Sequence, residues 1–326
     1  MHKPTQETTL ADVEAARLRL AARVRRTPLV ASAGLSRALG VEVYLKLEVL
    51  QKTGSFKVRG AFNKMLPLVA AGVDRVVAVS GGNHAQAVAY AAGELGMHAR
   101  VLMPENTPAN YVAATRGYGA EVVLAPSIAA AFAAAQSAEA EGWVMVHPFD
   151  DRAVIAGQGT LGLEIVEDLP GVTDVVVSIG GGGMMTGVAT AIKGLRPSVR
   201  LWGVETEGAD AMAQALAAGR PVTLPAITSI ARTLGAPAVS ARTLAAAQRW
   251  LEEVAVVSDQ EAVQALLFLL ERCKVLTEPA ASCTLAAARR WAAAGRWNAA
   301  ARVVLVLCGG NVGVADVCGW RSAAQG

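Results

Sequence analysis

From residue 75 onward the chain alternates short β-branched runs with segments of helical period, and nothing else in it narrows the fold as much. Strands are predicted at 75–79, 99–103, 121–124 and 143–147, with helices at 84–95, 108–116 and 128–141. A strand that returns through a helix lies parallel to its predecessor, so the repeat predicts an α/β fold with a doubly wound parallel sheet. The pattern resumes with a helix at 154–168, a fully apolar strand at 174–179, a helix at 184–195, and strands at 200–205 and 302–307. Pro221, Pro225 and Pro237 mark 220–240 as an irregular connection, and helices are predicted after it at 242–253, 260–273 and 280–294. Upstream, Thr8 and Thr9 can cap a helix running to Arg23, residues 41–47 alternate as a half-buried strand does, and a helix is predicted at 55–68.

In open parallel sheets ligands gather beyond the carboxyl ends of the strands, so the turns there are where chemistry is sought. Ser178-Ile179-Gly180-Gly181-Gly182-Gly183-Met184 joins an apolar strand to a helix, and its backbone N–H groups can converge on an anion such as a phosphate. Four consecutive glycines exceed what a tight turn that binds nothing requires. A dinucleotide fits poorly: Glu205 ends the next strand where an acid would meet a ribose, but the G-x-G-x-x-G spacing fails at Met185. The turn Ser80-Gly81-Gly82-Asn83-His84 offers hydroxyl, amide and backbone donors to a second anion such as a carboxylate, and Cys308-Gly309-Gly310-Asn311 closes the last strand.

Lys57 stands between Phe56 and a turn rich in small donors. It is either a solvated lysine at a helix start or a desolvated amine of lowered pKa, the kind that forms Schiff bases. His84 is open to two readings, a hydrogen-bonded histidine at a helix start or a base. Cys308 can be a small buried hydrophobe, and Asp150-Asp151 reads as a helix cap.

Composition removes several classes. With 326 residues and 53% hydrophobic side chains the chain has ample core, and its net charge of +3 is scattered, leaving no footprint for nucleic acid. The polar start lacks a secretory core, and no apolar run reaches the about 18 residues a membrane span needs, so a cytoplasmic protein without membrane partners is expected. The four cysteines form no C-x-x-C pair and the four histidines no H-x-x-x-H, which argues against structural zinc or a disulfide framework.

Taken in order, Lys52-Thr-Gly-Ser-Phe-Lys57-Val-Arg-Gly-Ala, Ser80-Gly-Gly-Asn-His-Ala-Gln, Ala156-Gly-Gln-Gly-Thr160, Gly180 to Gly183, Glu278-Pro-Ala280 and Cys308-Gly-Gly-Asn311 resemble one family over nearly the whole chain. It is the pyridoxal phosphate enzymes of fold type II, in particular the threonine and serine dehydratases and serine racemases. The resemblance implies a tryptophan synthase β-like fold of two doubly wound parallel-sheet units, 1–74 with 151–326 and 75–150, holding the cofactor in the cleft between them. It implies pyridoxal 5'-phosphate on Lys57 as a Schiff base, Phe56 near the ring face, Asn83 on the ring hydroxyl, and Gly180, Gly181, Gly182, Gly183 and Met184 around the phosphate. Ser80, Gly81, Gly82, Asn83 and His84 would take the substrate carboxylate, and Cys308 would meet the ring nitrogen. A thiol cannot keep that nitrogen protonated, so the cofactor is a weaker electron sink and β-elimination is favoured. The activity implied is conversion of a β-hydroxy amino acid, L-threonine or L-serine first, to a 2-keto acid and ammonia, with Lys57 moving the α-proton; a homodimer is implied as well.

Three departures shape that expectation. Racemases of this family place a serine where Gly81 stands, so racemisation ranks below elimination. The family's divalent metal site would fall on Glu205, Ala209 and Ala211, and the last is no ligand; Asp210 is adjacent but directed differently. The common dehydratases carry Thr-Ile-Ala-Asp-Gly over the substrate side chain, whereas this chain reads Ser229-Ile230-Ala231-Arg232-Thr233. A bulkier or acidic substrate, phenylserine or 3-hydroxyaspartate, is therefore an alternative. A cofactor-binding protein without turnover is a further one.

Overall fold

The computed structural model describes residues 7–323, so the first six residues of the polar start, Met1 to Leu10, lie outside the described residues. Helix α1 (Leu10–Leu20) opens on a capping box, with Thr9 Oγ1 accepting from the Asp12 amide and Asp12 accepting from the Thr9 amide. It stops three residues short of the predicted end. Strand β1 (Leu29–Ala31) and helix α2 (Ala33–Leu39) lead to β2 (Glu42–Leu47), and β1 pairs antiparallel with β2.

The β-α alternation then runs as predicted: α3 (Lys57–Ala70), β3 (Arg75–Val79), α4 (Asn83–Leu95), β4 (His98–Pro104), α5 (Ala109–Gly117), β5 (Glu121–Ala125), α6 (Ile128–Ala140) and β6 (Val144–Met145). These strands form a four-stranded sheet, β5-β4-β3-β6, parallel throughout. After it come α7 (Arg152–Asp168), β7 (Asp174–Ser178), α8 (Gly183–Leu195), β8 (Arg200–Thr206) and α9 (Ala211–Ala218). The chain closes with α10 (Ala241–Trp250), β9 (Leu251–Val257), α11 (Asp259–Phe268), α12 (Pro279–Ala293), β10 (Arg302–Leu307) and α13 (Val314–Ala323). The second sheet has the order β1-β2-β10-β7-β8-β9 and is parallel except for β1.

Burial on both faces explains the apolar runs at 175–177 in β7 and 303–307 in β10. Asp151 caps α7, accepting from the amides of Ala153 at 2.7 Å and Val154 at 3.1 Å, as the acid pair suggested.

The structure corrects the sequence reading at 251–257. Glu252 and Glu253 extend the helical period of α10, yet the β-branched residues after them pull the segment into the edge strand β9, where the Glu253 carboxylate accepts from Trp291 Nε1 at 2.9 Å. Edge strands tolerate such charges, and the helical pattern prevailed in the sequence for that reason. The short strand β1 and helix α9 were not foreseen either.

Helix α3 joins the two sheets. Its Val58, Ala61, Phe62 and Met65 bury among β3 and α4 side chains of the four-stranded sheet. The turn before it bonds to the end of β10, through Phe56 N to Cys308 O at 3.0 Å and Gly310 N to Gly54 O at 3.0 Å. Lys57, the first residue of α3, is thereby set at the junction.

Candidate active site

One cavity of about 1150 Å³ collects Phe56 and Lys57, the turn Ser80 to His84, the loop Gly180 to Met184, and Cys308. Residues from three strand ends, 252 positions apart at the extremes (56 to 308), thus meet where an open parallel sheet presents its ligand. Glu205 and Ala209 do not line it. Both Glu205 oxygens instead accept backbone N–H bonds at the start of α9, from Met212 at 2.9 Å and Ala213 at 2.7 Å. Burial pushes this carboxyl up to about 8 against the pull of those amides. Among the described residues no group of three His, Cys, Asp or Glu side chains is placed to hold a metal ion.

Lys57 is half-buried because its amine faces the cavity, and packed protein on the other sides pulls its pKa down to about 8. The amine donates to Pro148 O at 2.8 Å and lies 5.2 Å from the Phe56 ring centroid, and no carboxylate pairs with it among the described residues. Pro148 is held in turn, since His147 Nδ1 accepts from the amides of Phe149 at 3.3 Å and Asp150 at 2.8 Å.

The glycine loop has space only for glycine. A Cβ on Gly181 would stand 2.1 Å from the Phe149 ring, one on Gly183 would stand 2.8 Å from Phe149 Cα, and Gly182 has φ +89°. Thr186 N to Gly182 O, at 2.9 Å, opens the α8 ladder, so the amides before Thr186 precede it and can donate to an anion in the loop.

At the second turn, Gly82 N donates to Ser80 Oγ at 3.1 Å, and α4 starts at Asn83. His84 Nε2 donates to Val146 O at 2.7 Å, while Nδ1 is buried without a partner. Burial pushes this imidazole down to about 3, so it is neutral; the hydrogen-bonded reading of His84 fits this geometry. A Cβ on Gly81 would meet Thr107 Oγ1 at 2.6 Å, so a side chain there requires Thr107 to move.

A polar chain ties the turns together. Asn311 Nδ2 donates to Thr53 O and to Asn83 Oδ1, each at 2.8 Å, and Asn83 Nδ2 donates to Glu278 Oε1 at 2.8 Å. Burial pushes Glu278 up to about 7, against hydrogen bonds from Thr233 and Asn83 and the charge of Lys57. Sequence reading quoted Glu278 in a motif without giving it a role; its one local signal is an acid inside the apolar run Leu276 to Ala281. Cys308 accepts from Ser178 Oγ at 3.4 Å and points its thiol at Ala280 O at 3.6 Å. Burial pushes it up to about 12, so it stays a thiol.

Beneath Lys57 lies an ionic cluster that the sequence did not announce. Arg59 donates to both oxygens of Glu48 and both of Glu164, at 2.6 to 2.9 Å, and Lys46 donates to Glu164 Oε2 at 2.6 Å and to Thr27 O at 2.8 Å. Arg59, Lys46 and Glu48 are fully buried.

The doubly wound α/β fold thus brings a half-buried lysine amine and two glycine turns with free backbone amides to one cavity. The sequence profile of the "Pyridoxal-phosphate dependent enzyme" family matches residues 20–309, and the chain belongs to that family. It is 42% identical to the L-threonine ammonia-lyase of Geobacter sulfurreducens over 302 residues, 92% of this chain and 74% of that one. It superposes on maize serine racemase with a TM-score of 0.92 and 34% identity, covering 98% of both chains. It also superposes on a threonine deaminase from T.th. with a TM-score of 0.87 and 39% identity, covering 94% of this chain and 99% of that one. The residues present fit pyridoxal 5'-phosphate: Gly180 to Met184 line the cavity with amides that precede the α8 ladder, and the Lys57 amine, which has no carboxylate in ion-pair distance among the described residues, faces the same space.

Proposed function

We propose that the chain eliminates water from a β-hydroxy amino acid such as L-threonine or L-serine, giving a 2-keto acid and ammonia. The observation that carries this is Lys57, an amine of lowered pKa with no ion-pair partner among the described residues, facing one cavity with two glycine turns. The relatives named as threonine ammonia-lyase and threonine deaminase support it.

When bound, pyridoxal phosphate supplies an aldehyde for the amine and a ring that takes up electron density from the substrate Cα. Gly180 to Gly183 and Met184 would hold its phosphate by backbone N–H groups, and Phe56 would cover the ring. Asn83 Nδ2 keeps a second N–H for the ring hydroxyl once Glu278 has taken one. Cys308, held as a thiol, would leave the ring nitrogen without a charge partner. The turn Ser80 to His84 would bind the substrate carboxylate through its amides and so orient Cα toward Lys57. Lys57 Nζ, unprotonated in part near neutral pH, takes the α-proton. Racemisation needs a second proton carrier, and Gly81 offers none.

A keto-acid assay over threonine, serine, phenylserine and 3-hydroxyaspartate tests the reading, together with borohydride treatment of the holoenzyme. Keto acid from at least one substrate and a reduced label on Lys57 are expected; turnover of O-acetylserine with sulfide and of none of the four would overturn it. Light scattering on the same preparation checks the expected homodimer, and fractionation of the source cells checks the expected cytoplasmic placement, with which the four free cysteines agree.

A further inference from the structure

We propose that Arg232 selects β-hydroxy amino acids whose side chain ends in an anion, 3-hydroxyaspartate being the smallest; this rests on the β-elimination reading above. Arg232 opens a 3-10 turn, Arg232–Leu234, whose neighbours are the two anion-binding turns. Position 180 packs so closely on this turn that a Cβ there would lie 3.0 Å from Leu234 O, and a Cβ on Gly82 would lie 3.3 Å from Thr233 Cγ2. The turn therefore spans from the loop for the cofactor phosphate to the turn for the substrate carboxylate. Between those two anchors lies the ground that a substrate side chain must occupy.

Arg232 lines the cavity, is exposed, and makes no hydrogen bond or ion pair through its side chain among the described residues. Its charge reaches Tyr111, whose hydroxyl donates to Asn311 O at 2.5 Å. The other charged groups on the wall are Lys57 and Glu278, both spoken for deeper in, and Glu105 at the exposed rim.

The support under Arg232 is fixed. Asp259 accepts from Ser229 Oγ at 2.6 Å and Ile230 N at 3.0 Å, and Ser229 Oγ accepts from Ala231 N at 3.0 Å. A guanidinium on such a base meets a carboxylate with two parallel N–H bonds and little further ordering. A cavity of about 1150 Å³ leaves room beyond Cβ for that group. A large apolar side chain would instead strip water from an unpaired guanidinium, which is unfavourable.

The reaction balances without an oxidant. The Cβ–O bond breaks and the hydroxyl leaves with one proton as water; hydrolysis of the resulting imine consumes one water and releases ammonia. 3-Hydroxyaspartate thus gives oxaloacetate and ammonia.

The test compares kcat/KM for 3-hydroxyaspartate and threonine in the holoenzyme, in Arg232→Gln and in Arg232→Lys. The native ratio should favour the acidic substrate, fall about 10- to 100-fold in R232Q with most of the change in KM, and recover in part in R232K. Calorimetry with succinate against butyrate gives a readout independent of turnover: succinate should bind more tightly, and R232Q should remove the difference. Threonine turnover with a ratio unchanged in R232Q overturns the Arg232 proposal alone, as does a preference for phenylserine that R232Q retains. No keto acid from any β-hydroxy amino acid overturns the elimination reading as well.

Discussion

Two cations two residues apart on the same turn of α3 meet opposite surroundings. Arg59 is fully buried and satisfied on every side by Glu48 and Glu164, with Lys46 balancing the second acid. Lys57 has a carbonyl for a partner and no carboxylate within ion-pair distance among the described residues. The first arrangement fixes a charge, and the second makes a charge costly to keep, which is what a nucleophilic amine requires. The neutralised cluster anchors the helix start so that the uncompensated amine can be held in place beside it.

The comparison can be broken at either end. Lys57→Ala removes the group proposed to carry the cofactor and the proton, and keto-acid formation should fall by about 10²- to 10⁴-fold or more with little change in the melting temperature. Arg59→Met should do the reverse in kind. It leaves two buried acids facing one lysine and should cost about 3–5 kcal/mol of stability in a denaturant melt. Adding Glu48→Gln restores the balance of charge and should recover much of that loss; if it recovers nothing, the cluster is not held by its electrostatics.

A smaller effect is read from pH. Because the free amine is the reactive form, the rate at which cofactor-free protein takes up pyridoxal phosphate should rise with pH and level off above about 8. A midpoint near the ordinary 10.5 would show that burial leaves Lys57 unperturbed. Smallest is Gly81→Ser, whose Cβ meets Thr107 Oγ1. It should lower stability by about 1 kcal/mol in a denaturant melt, and the loss should be relieved by Thr107→Ala.

The wound sheets and the three glycine turns could be read directly, because strand-helix alternation and runs of small residues are local signals. What stayed hidden depends on partners far away in the chain. Lys46 lies in a segment that reads as a half-buried strand, and only Glu164, 118 residues beyond it, and Arg59, which holds both Glu48 and Glu164, make an interior charge cluster of it. Glu278 is quiet for the same reason, since Asn83 lies 195 residues before it. Strand β9 was lost at a place where two periods overlap and only its neighbour β8 decides. Thr107 and Phe149, which crowd Gly81 and Gly181, have no local pattern of their own.

The hydrogen-bonded run of Asn311, Asn83 and Glu278, anchored on the backbone carbonyl of Thr53, bears on how this sequence can drift. Three side chains from distant parts of the polypeptide hold one another's hydrogen bonds, so a change at one alters which residues are tolerated at the other two. In double-mutant cycles their effects should not add. Descendants of this sequence are expected to keep the three together or to replace them in concert, and intermediates with a single replacement should be rare.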